Sequence, residues 1–123
     1  MLPEKLTEIL QHKSPVAIAT QGPDGPHLVN TWNSYIEVTD ADTLLIPMGY
    51  MSTTEANLKQ DPRVLITVAS SDVVGTMGPG AGFLITGTAE VETSGAGLDL
   101  LKSKFAWARA AMEVTIVKAE QTL

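Results

Sequence analysis

Cysteine is absent from this sequence of 123 residues. Its absence excludes disulfide bonds, thiol catalysis, iron–sulfur clusters and zinc sites built from cysteine. Histidine is nearly absent as well, since His12 and His27 are the only two. Their spacing does not resemble that of metal ligands, so no metal site is expected. Ser14 and Asp24 lie near His27 in the sequence, but nothing orders the three as a catalytic triad, and no catalytic residue is predicted.

Positive charge is scarce, with 8 Lys and Arg against 14 Asp and Glu and a formal net charge of −6. This balance argues against nonspecific binding to nucleic acid and against anionic membrane surfaces. No apolar run approaches the ~20 residues of a membrane span. Glu4, Lys5 and Glu8 interrupt any signal-peptide pattern at the start of the sequence. We therefore expect a cytoplasmic protein with neither a nucleic-acid nor a membrane partner.

The length suits one domain, and residues 1–123 are interpreted as such. Strand-forming segments dominate, and two helical segments interrupt them while a third leads. The predicted strands are Val16–Thr20, His27–Val38, Thr43–Met48, Arg63–Ser71, Gly82–Glu92 and Ala111–Ala119. The predicted helices begin at Pro3, at Ser52 and at Ser94. This order is typical of a mainly β protein, and it predicts a closed or partly split antiparallel barrel with short peripheral helices.

Trp32 is one of only six aromatic residues, and it lies in mid-strand among polar neighbours. Asn30, Thr31, Asn33 and Ser34 surround it. One interpretation is a half-exposed strand with a solvated face. The other is the wall of a pocket, in which the indole offers a flat stacking surface and the polar groups offer hydrogen bonds.

The second candidate is the segment Pro47–Thr54, in which a strand ends at Gly49 and a helix begins with hydroxyl residues. Ser52 and Glu55 have capping-box spacing, which predicts ordinary helix capping. Alternatively, the N–H groups of the helix start could bind a phosphate, although Glu55 would compete for them. The glycine-rich segment Asp72–Ala81 is predicted as a loop, because it leads into a strand and not into the helix that a dinucleotide fingerprint requires.

Several longer runs resemble the small FMN-binding proteins of sulfate-reducing bacteria, and the similarity covers essentially the whole chain. The similar runs are Val16–Gly22, Asp24–Tyr35, Thr54–Asn57, Gly78–Gly80, Gly82–Ile85, Trp107–Ala111 and Ala119–Leu123. That family belongs to the split-barrel flavoproteins, which are related in fold to pyridoxamine-phosphate oxidases and flavin reductases. The resemblance implies a six-stranded antiparallel split β-barrel of Greek-key type, a homodimer, and non-covalent FMN near the subunit interface.

The resemblance also implies roles for particular residues around the flavin. The ribityl-phosphate and ring pocket would be lined by Asn30, Thr31 and Trp32. The isoalloxazine edge would follow Pro47, Met48, Gly49 and Tyr50. The phosphate would be held by Ser52, Thr53 and Thr54. The partner subunit would bring Trp107 and Leu123 towards the flavin.

One departure from the family pattern concerns charge. Relatives can carry lysine in the phosphate turn where this chain has Thr53, and the nearest cations in the sequence are Lys59 and Arg63. The segments that match ring-contacting segments are expected to bring no cation to the ring. These features predict a low-potential electron carrier with an unidentified redox protein as its partner. The alternatives are an FMN-dependent oxidase or flavin reductase that uses a small-molecule or nicotinamide substrate, and a barrel that binds another ligand or only a protein.

Overall fold

Seven strands form one continuous antiparallel sheet in the computed structural model, which describes residues 2–123. The strands are β1 (Pro15–Gly22), β2 (Gly25–Trp32), β3 (Glu37–Val38), β4 (Leu44–Met48), β5 (Arg63–Gly75), β6 (Gly78–Glu92) and β7 (Ala110–Gln121). The helices are α1 (Glu4–Ile9), α2 (Ser52–Gln60) and α3 (Ala96–Lys104), and a 3₁₀ helix covers Asn33–Tyr35. The mainly β, antiparallel fold predicted from the sequence is confirmed.

The strand order β2-β1-β5-β6-β7-β4-β3 places β2 and β3 at opposite edges of the sheet. In the chain, however, only four residues separate Trp32, the end of β2, from Glu37, the start of β3. Such a link spans at most about 17 Å when fully extended. The two edges must therefore lie close together, so the sheet curls into a barrel with a split between β2 and β3.

The predicted strand His27–Val38 is interrupted, which raises the strand count from six to seven. Asn33 causes the break, because its side chain is completely buried. Its Nδ2 donates to the carbonyl of Ile9 at 3.3 Å and to that of Ala69 at 2.9 Å, and its backbone N–H donates to Ser14 at 2.9 Å. An inward-facing amide that links three other segments ends the regular alternation of the strand.

The predicted loop Asp72–Ala81 is wrong over most of its length. β5 continues to Gly75 and β6 begins at Gly78, so the two strands form a long hairpin. Pairing resumes after an irregularity between Ser70 and Val74. Gly78 has a φ of 124°, a value that glycine adopts more readily than other residues, and it allows the tight reversal.

The main core fills the barrel, and a smaller cluster lies under α3. The small cluster joins α3 to β4 and to the start of β7 through Leu45, Leu98, Leu101, Ala108 and Ala111. This contact fixes the segment 105–109, which connects α3 to β7. None of the helices within residues 2–123 is long and apolar enough to cross a membrane.

Candidate functional site

A cavity of about 650 Å³ opens at the end of the barrel where β2 and β4 finish. Residues from the ends of β2 and β4, from the 3₁₀ helix, from the turn before α2 and from the segment before β7 line it. They are Val29, Asn30, Thr31, Trp32, Tyr35, Pro47, Gly49, Tyr50, Met51, Trp107 and Arg109. The structure thus brings together seven of the twelve residues that the sequence singled out, from three distant parts of the chain.

Aromatic rings form one side of this cavity. The Tyr35 and Trp107 ring centroids lie 5.6 Å apart, and Phe105 lies behind them at 4.8 Å from Tyr35 and 5.5 Å from Trp107. Trp32 and Trp107 remain 41% and 48% exposed, so both indoles retain free surface. Trp107 packs closely against the backbone of Gly49, because a Cβ there would lie 3.2 Å from Cε3 of the indole. The cavity therefore offers a fixed aromatic surface for a planar ligand.

Helix α2 begins beside the cavity without the capping box that the sequence predicted. Met51, and not Ser52, is the N-cap residue, and no side chain caps the helix. Met51 has φ 53° and ψ 35°, a left-handed conformation that is uncommon for a residue with a side chain. The Glu55 carboxylate does not bind back to the helix start but pairs with Arg109 at 2.8 Å.

The Gly49–Thr54 segment presents a run of unpaired backbone donors. Within residues 2–123, its six N–H groups donate to no backbone or side-chain acceptor. A left-handed residue followed by a helical one forms a concave nest that binds anions, and a helix start adds the positive end of its dipole. Thr54 is completely buried, and its Oγ1 also has no partner. These orphaned donors fit a negatively charged group such as a phosphate.

Asn30 and Thr31 form the edge of the cavity on β2. Asn30 donates from Nδ2 to the carbonyl of Val16 at 3.0 Å, which fixes the orientation of its amide. Thr31 is 5% exposed. Both residues therefore occupy defined positions next to Trp32.

Five of the sequence-predicted residues do not line the cavity. Met48 is completely buried in the barrel core. Ser52 and Thr53 are exposed on the first turn of α2, directly after the cavity-lining Met51, and Thr54 is buried on the same turn. Leu123 lies away from the cavity, where its backbone pairs with Gly82 at 3.4 Å.

Arg109 is the functional candidate that the sequence reasoning missed. It lines the cavity, and it donates from Nε to the carbonyl of Gly49 at 2.6 Å and from Nη2 to that of Tyr50. The matched run Trp107–Ala111 therefore brings a cation to the cavity wall, which the sequence interpretation did not include. The available signal was its place two residues after Trp107, inside one of the family-like runs.

The cations named from sequence proximity, Lys59 and Arg63, do not line this cavity. Arg63 pairs with Asp61 at 2.6 Å, and this hydrogen-bonded contact lowers the pKa of Asp61 to about 2. Helix α2 leads the chain away from the cavity, so neither of these cations lies in the lining.

Comparisons with known proteins identify the family and the fold of this chain. The sequence profile described as Pyridoxamine 5′-phosphate oxidase matches residues 2–122. The chain belongs to the pyridoxamine 5′-phosphate oxidase family. Among relatives of this family, the FMN-binding protein of Nitratidesulfovibrio vulgaris, strain Miyazaki F, is 53% identical over 123 residues, which cover 100% of both chains.

Solved structures show the same fold at much lower sequence identity. HupZ of Group A Streptococcus superposes with a TM-score of 0.79 at 16% identity, over 99% of this chain and 94% of that one. An FMN-binding protein from Syntrophomonas wolfei superposes with a TM-score of 0.75 at 17% identity, over 98% and 85% of the two chains. The split barrel of the pyridoxamine 5′-phosphate oxidase family is therefore the fold of this chain.

Proposed function

We propose that each subunit binds one FMN non-covalently in the cavity and serves as a low-potential electron carrier. The observation that carries this proposal is the run of six unpaired N–H groups in the Gly49–Thr54 segment, whose first three residues line the same cavity as the free indoles of Trp32 and Trp107. FMN has an anionic phosphate, which the N–H groups fit, and a planar ring, which the indoles fit. The 53% identical relative is named as an FMN-binding protein, which supports the same cofactor.

In this proposal the N–H groups and hydroxyls at the start of α2 hold the phosphate. Asn30 and Thr31 line the part of the cavity that holds the ribityl chain, and Trp32 and Trp107 contact the ring. When bound, FMN supplies reversible transfer of one or two electrons. The protein's part is to position the ring, to exclude water from it with aromatic side chains, and to set the electrostatic field around it.

The charges near the cavity support a low reduction potential. Arg109 brings a positive charge to the wall, but Glu55 pairs with it at 2.8 Å, so the two together add no net charge. The whole chain carries a formal net charge of −6. Because a negative surrounding raises the free energy of any added electron, we expect a midpoint potential at or below that of free FMN. A redox titration tests this, and a midpoint well above that of free FMN would contradict the carrier role.

An FMN-dependent oxidase or flavin reductase is the alternative. The ionisable side chains in the cavity lining of residues 2–123 are Tyr35, Tyr50 and Arg109. A carboxylate or imidazole, the usual general acids and bases, is not among them. The lining thus supports a carrier over an enzyme. Rapid reduction of the bound flavin by NADH or NADPH in a stopped-flow experiment would favour the enzyme instead.

Cofactor binding itself is tested by titrating the purified apoprotein with FMN. We expect a yellow complex with one FMN per chain and strongly quenched flavin fluorescence. A colourless protein that does not respond to added FMN would contradict the proposal.

We also propose that the chain is a homodimer that pairs through the outer face of β2, β1, β5 and β6. The pairing register forms an uncharged row across this face from Leu28 through Ala19 and Leu65 to Thr86. Leu28 and Leu65 are 69% and 46% exposed, although both are large and apolar. A second copy of the chain matches this face, because it carries the same uncharged row. A charged partner would find no opposite charge there to attract it.

This face continues along β2 to the cavity, since Leu28, Asn30 and Trp32 alternate on one side of the strand. The cavity would then lie at the rim of the interface. Sedimentation equilibrium tests the dimer. Leu65→Lys should give monomers, whereas the control Glu8→Lys on α1 should leave the assembly unchanged, and a monomeric parent protein would contradict the proposal.

A further inference from the structure

Arg109 and Glu55 together occupy the carbonyl oxygens of four consecutive residues, 48 to 51. The Arg109 backbone N–H donates to the first carbonyl at 2.9 Å, its Nε to the second at 2.6 Å, and its Nη2 to the third. The Glu55 backbone N–H donates to the fourth at 2.9 Å. The left-handed turn before α2 is therefore held through its carbonyls, while the N–H groups of the Gly49–Thr54 segment remain free.

The same two residues are joined by an ion pair, with Nη2 of Arg109 2.8 Å from Oε1 of Glu55. Glu55 lies on the first turn of α2, and its side chain is 19% exposed. A free carboxylate at this place would bind the unpaired N–H groups or repel an incoming anion. Arg109 holds the carboxylate and neutralises its charge.

We propose that Arg109 is a positioning residue that makes the cavity selective for a phosphorylated flavin over the same flavin without phosphate. It acts by fixing the turn at residues 48–51 and by neutralising Glu55, and it need not touch the phosphate itself. This inference rests on the proposed FMN function and deepens it. The selectivity would come from a cation that lies outside the anion-binding nest. This cation is on the segment before β7, which contacts α2 only in the folded chain.

The experiment compares FMN with riboflavin, which lacks the phosphate, by calorimetric titration of the apoprotein. Arg109→Gln should weaken FMN binding about tenfold and riboflavin binding by no more than about twofold, because the unneutralised Glu55 repels only the phosphate. Arg109→Lys should have an intermediate effect, since an ammonium group cannot bind two carbonyls and a carboxylate in the planar fork of a guanidinium.

The double variant Glu55→Gln/Arg109→Gln is the decisive comparison, because it removes both charges. It should recover the part of the FMN preference that depends on neutralising Glu55, while the part that depends on the bonds from the Arg109 side chain to the turn stays lost. Glu55→Gln alone should raise the preference for FMN about threefold, since it leaves Arg109 as an uncompensated cation. Lys104→Gln serves as a matched control, because Lys104 also pairs with a carboxylate, that of Glu37, but lies outside the cavity lining.

A second readout needs no flavin. Inorganic phosphate should raise the melting temperature of the parent apoprotein and of Glu55→Gln, and it should raise that of Arg109→Gln much less.

Equal losses of FMN and riboflavin affinity in Arg109→Gln, or no recovery in the double variant, would overturn the inference and leave the proposed function intact. If Arg109→Gln does not fold, an unchanged preference in Glu55→Gln would overturn it. A parent protein that binds neither flavin would instead overturn the proposed function.

Discussion

Individual side chains determine how tightly the cavity binds its ligand, and Trp32 is the clearest case. Its indole is 41% exposed and lines the cavity. An electron-rich indole next to a flavin quenches flavin fluorescence and supplies stacking contact. We expect Trp32→Ala to restore part of the flavin emission and to weaken FMN binding about tenfold, as the loss of an aromatic contact usually does.

Fluorescence lifetimes and FMN titration measure both effects. His27→Ala, a change on β2 outside both the cavity lining and the proposed interface row, is the control for a general effect on the strand. Unchanged emission and affinity in Trp32→Ala would show that the indole does not contact the ring.

Thr53 lies exposed on the first turn of α2, beside the free N–H groups. A lysine there could add a charge-assisted hydrogen bond to a phosphate, a contact of about 1.5–3 kcal/mol. Thr53→Lys should therefore tighten FMN binding about tenfold or more and leave riboflavin binding unchanged. Thr7→Lys on α1 controls for net charge. Equal FMN affinities of Thr53→Lys and the parent would contradict the prediction.

Elements can also be stabilised or destabilised by charge, as the pairing of β6 with β7 illustrates. Glu90 pairs with Glu113 in the register of these strands, and Glu92 follows on β6. A hydrogen bond to Glu113 raises the pKa of Glu92 above its usual value, and desolvation and the charges of Glu113 and Glu90 raise it further. Because the pKa in the folded state is higher than in the unfolded state, this group stabilises the fold at low pH, and the contribution is lost as pH rises through the folded-state pKa.

Glu92→Gln should consequently raise the melting temperature at pH 7 by about 1–3 °C, a small effect because the site is partly exposed to solvent. The advantage over the parent should shrink as the pH falls towards 4. Thermal unfolding followed by circular dichroism across this pH range measures it. Glu8→Gln on α1 is the control, and a difference that does not vary with pH would contradict the explanation.

At the scale of elements, the sequence predicted most strands and all three helices but not their ends. The alternation of hydrophobic and polar residues identifies strands reliably. It does not show that Asn33 turns inward and divides β2 from β3. The missed extension of the β5–β6 hairpin has a related cause, because glycines that permit a tight reversal look the same in sequence as glycines of an open loop. Arg109 escaped notice since its contacts, to residues 48–50 and Glu55, are at least 54 positions away in the chain.

At the scale of the whole molecule, the proposed dimer gives the C-terminal residue a role that one chain alone does not. Leu123 is 55% exposed, and it lies away from the cavity of its own chain. We propose, from the family resemblance, that Leu123 of each subunit covers the flavin of the other. Deleting Leu123 should then loosen both FMN binding and the dimer. Unchanged sedimentation and FMN affinity after the deletion would exclude that role, and Leu123→Met is the control that keeps the apolar side chain.

The strand order also has a consequence for how the protein is made. β4, whose end leads into the Gly49–Thr54 segment, pairs within the sheet with β7, which comes last of the seven strands in chain order. While a nascent chain still holds β7 in the ribosomal exit tunnel, β4 lacks that neighbour and Arg109 cannot reach its carbonyls. We therefore expect flavin capture to follow the emergence of β7 from the tunnel and its pairing with β4.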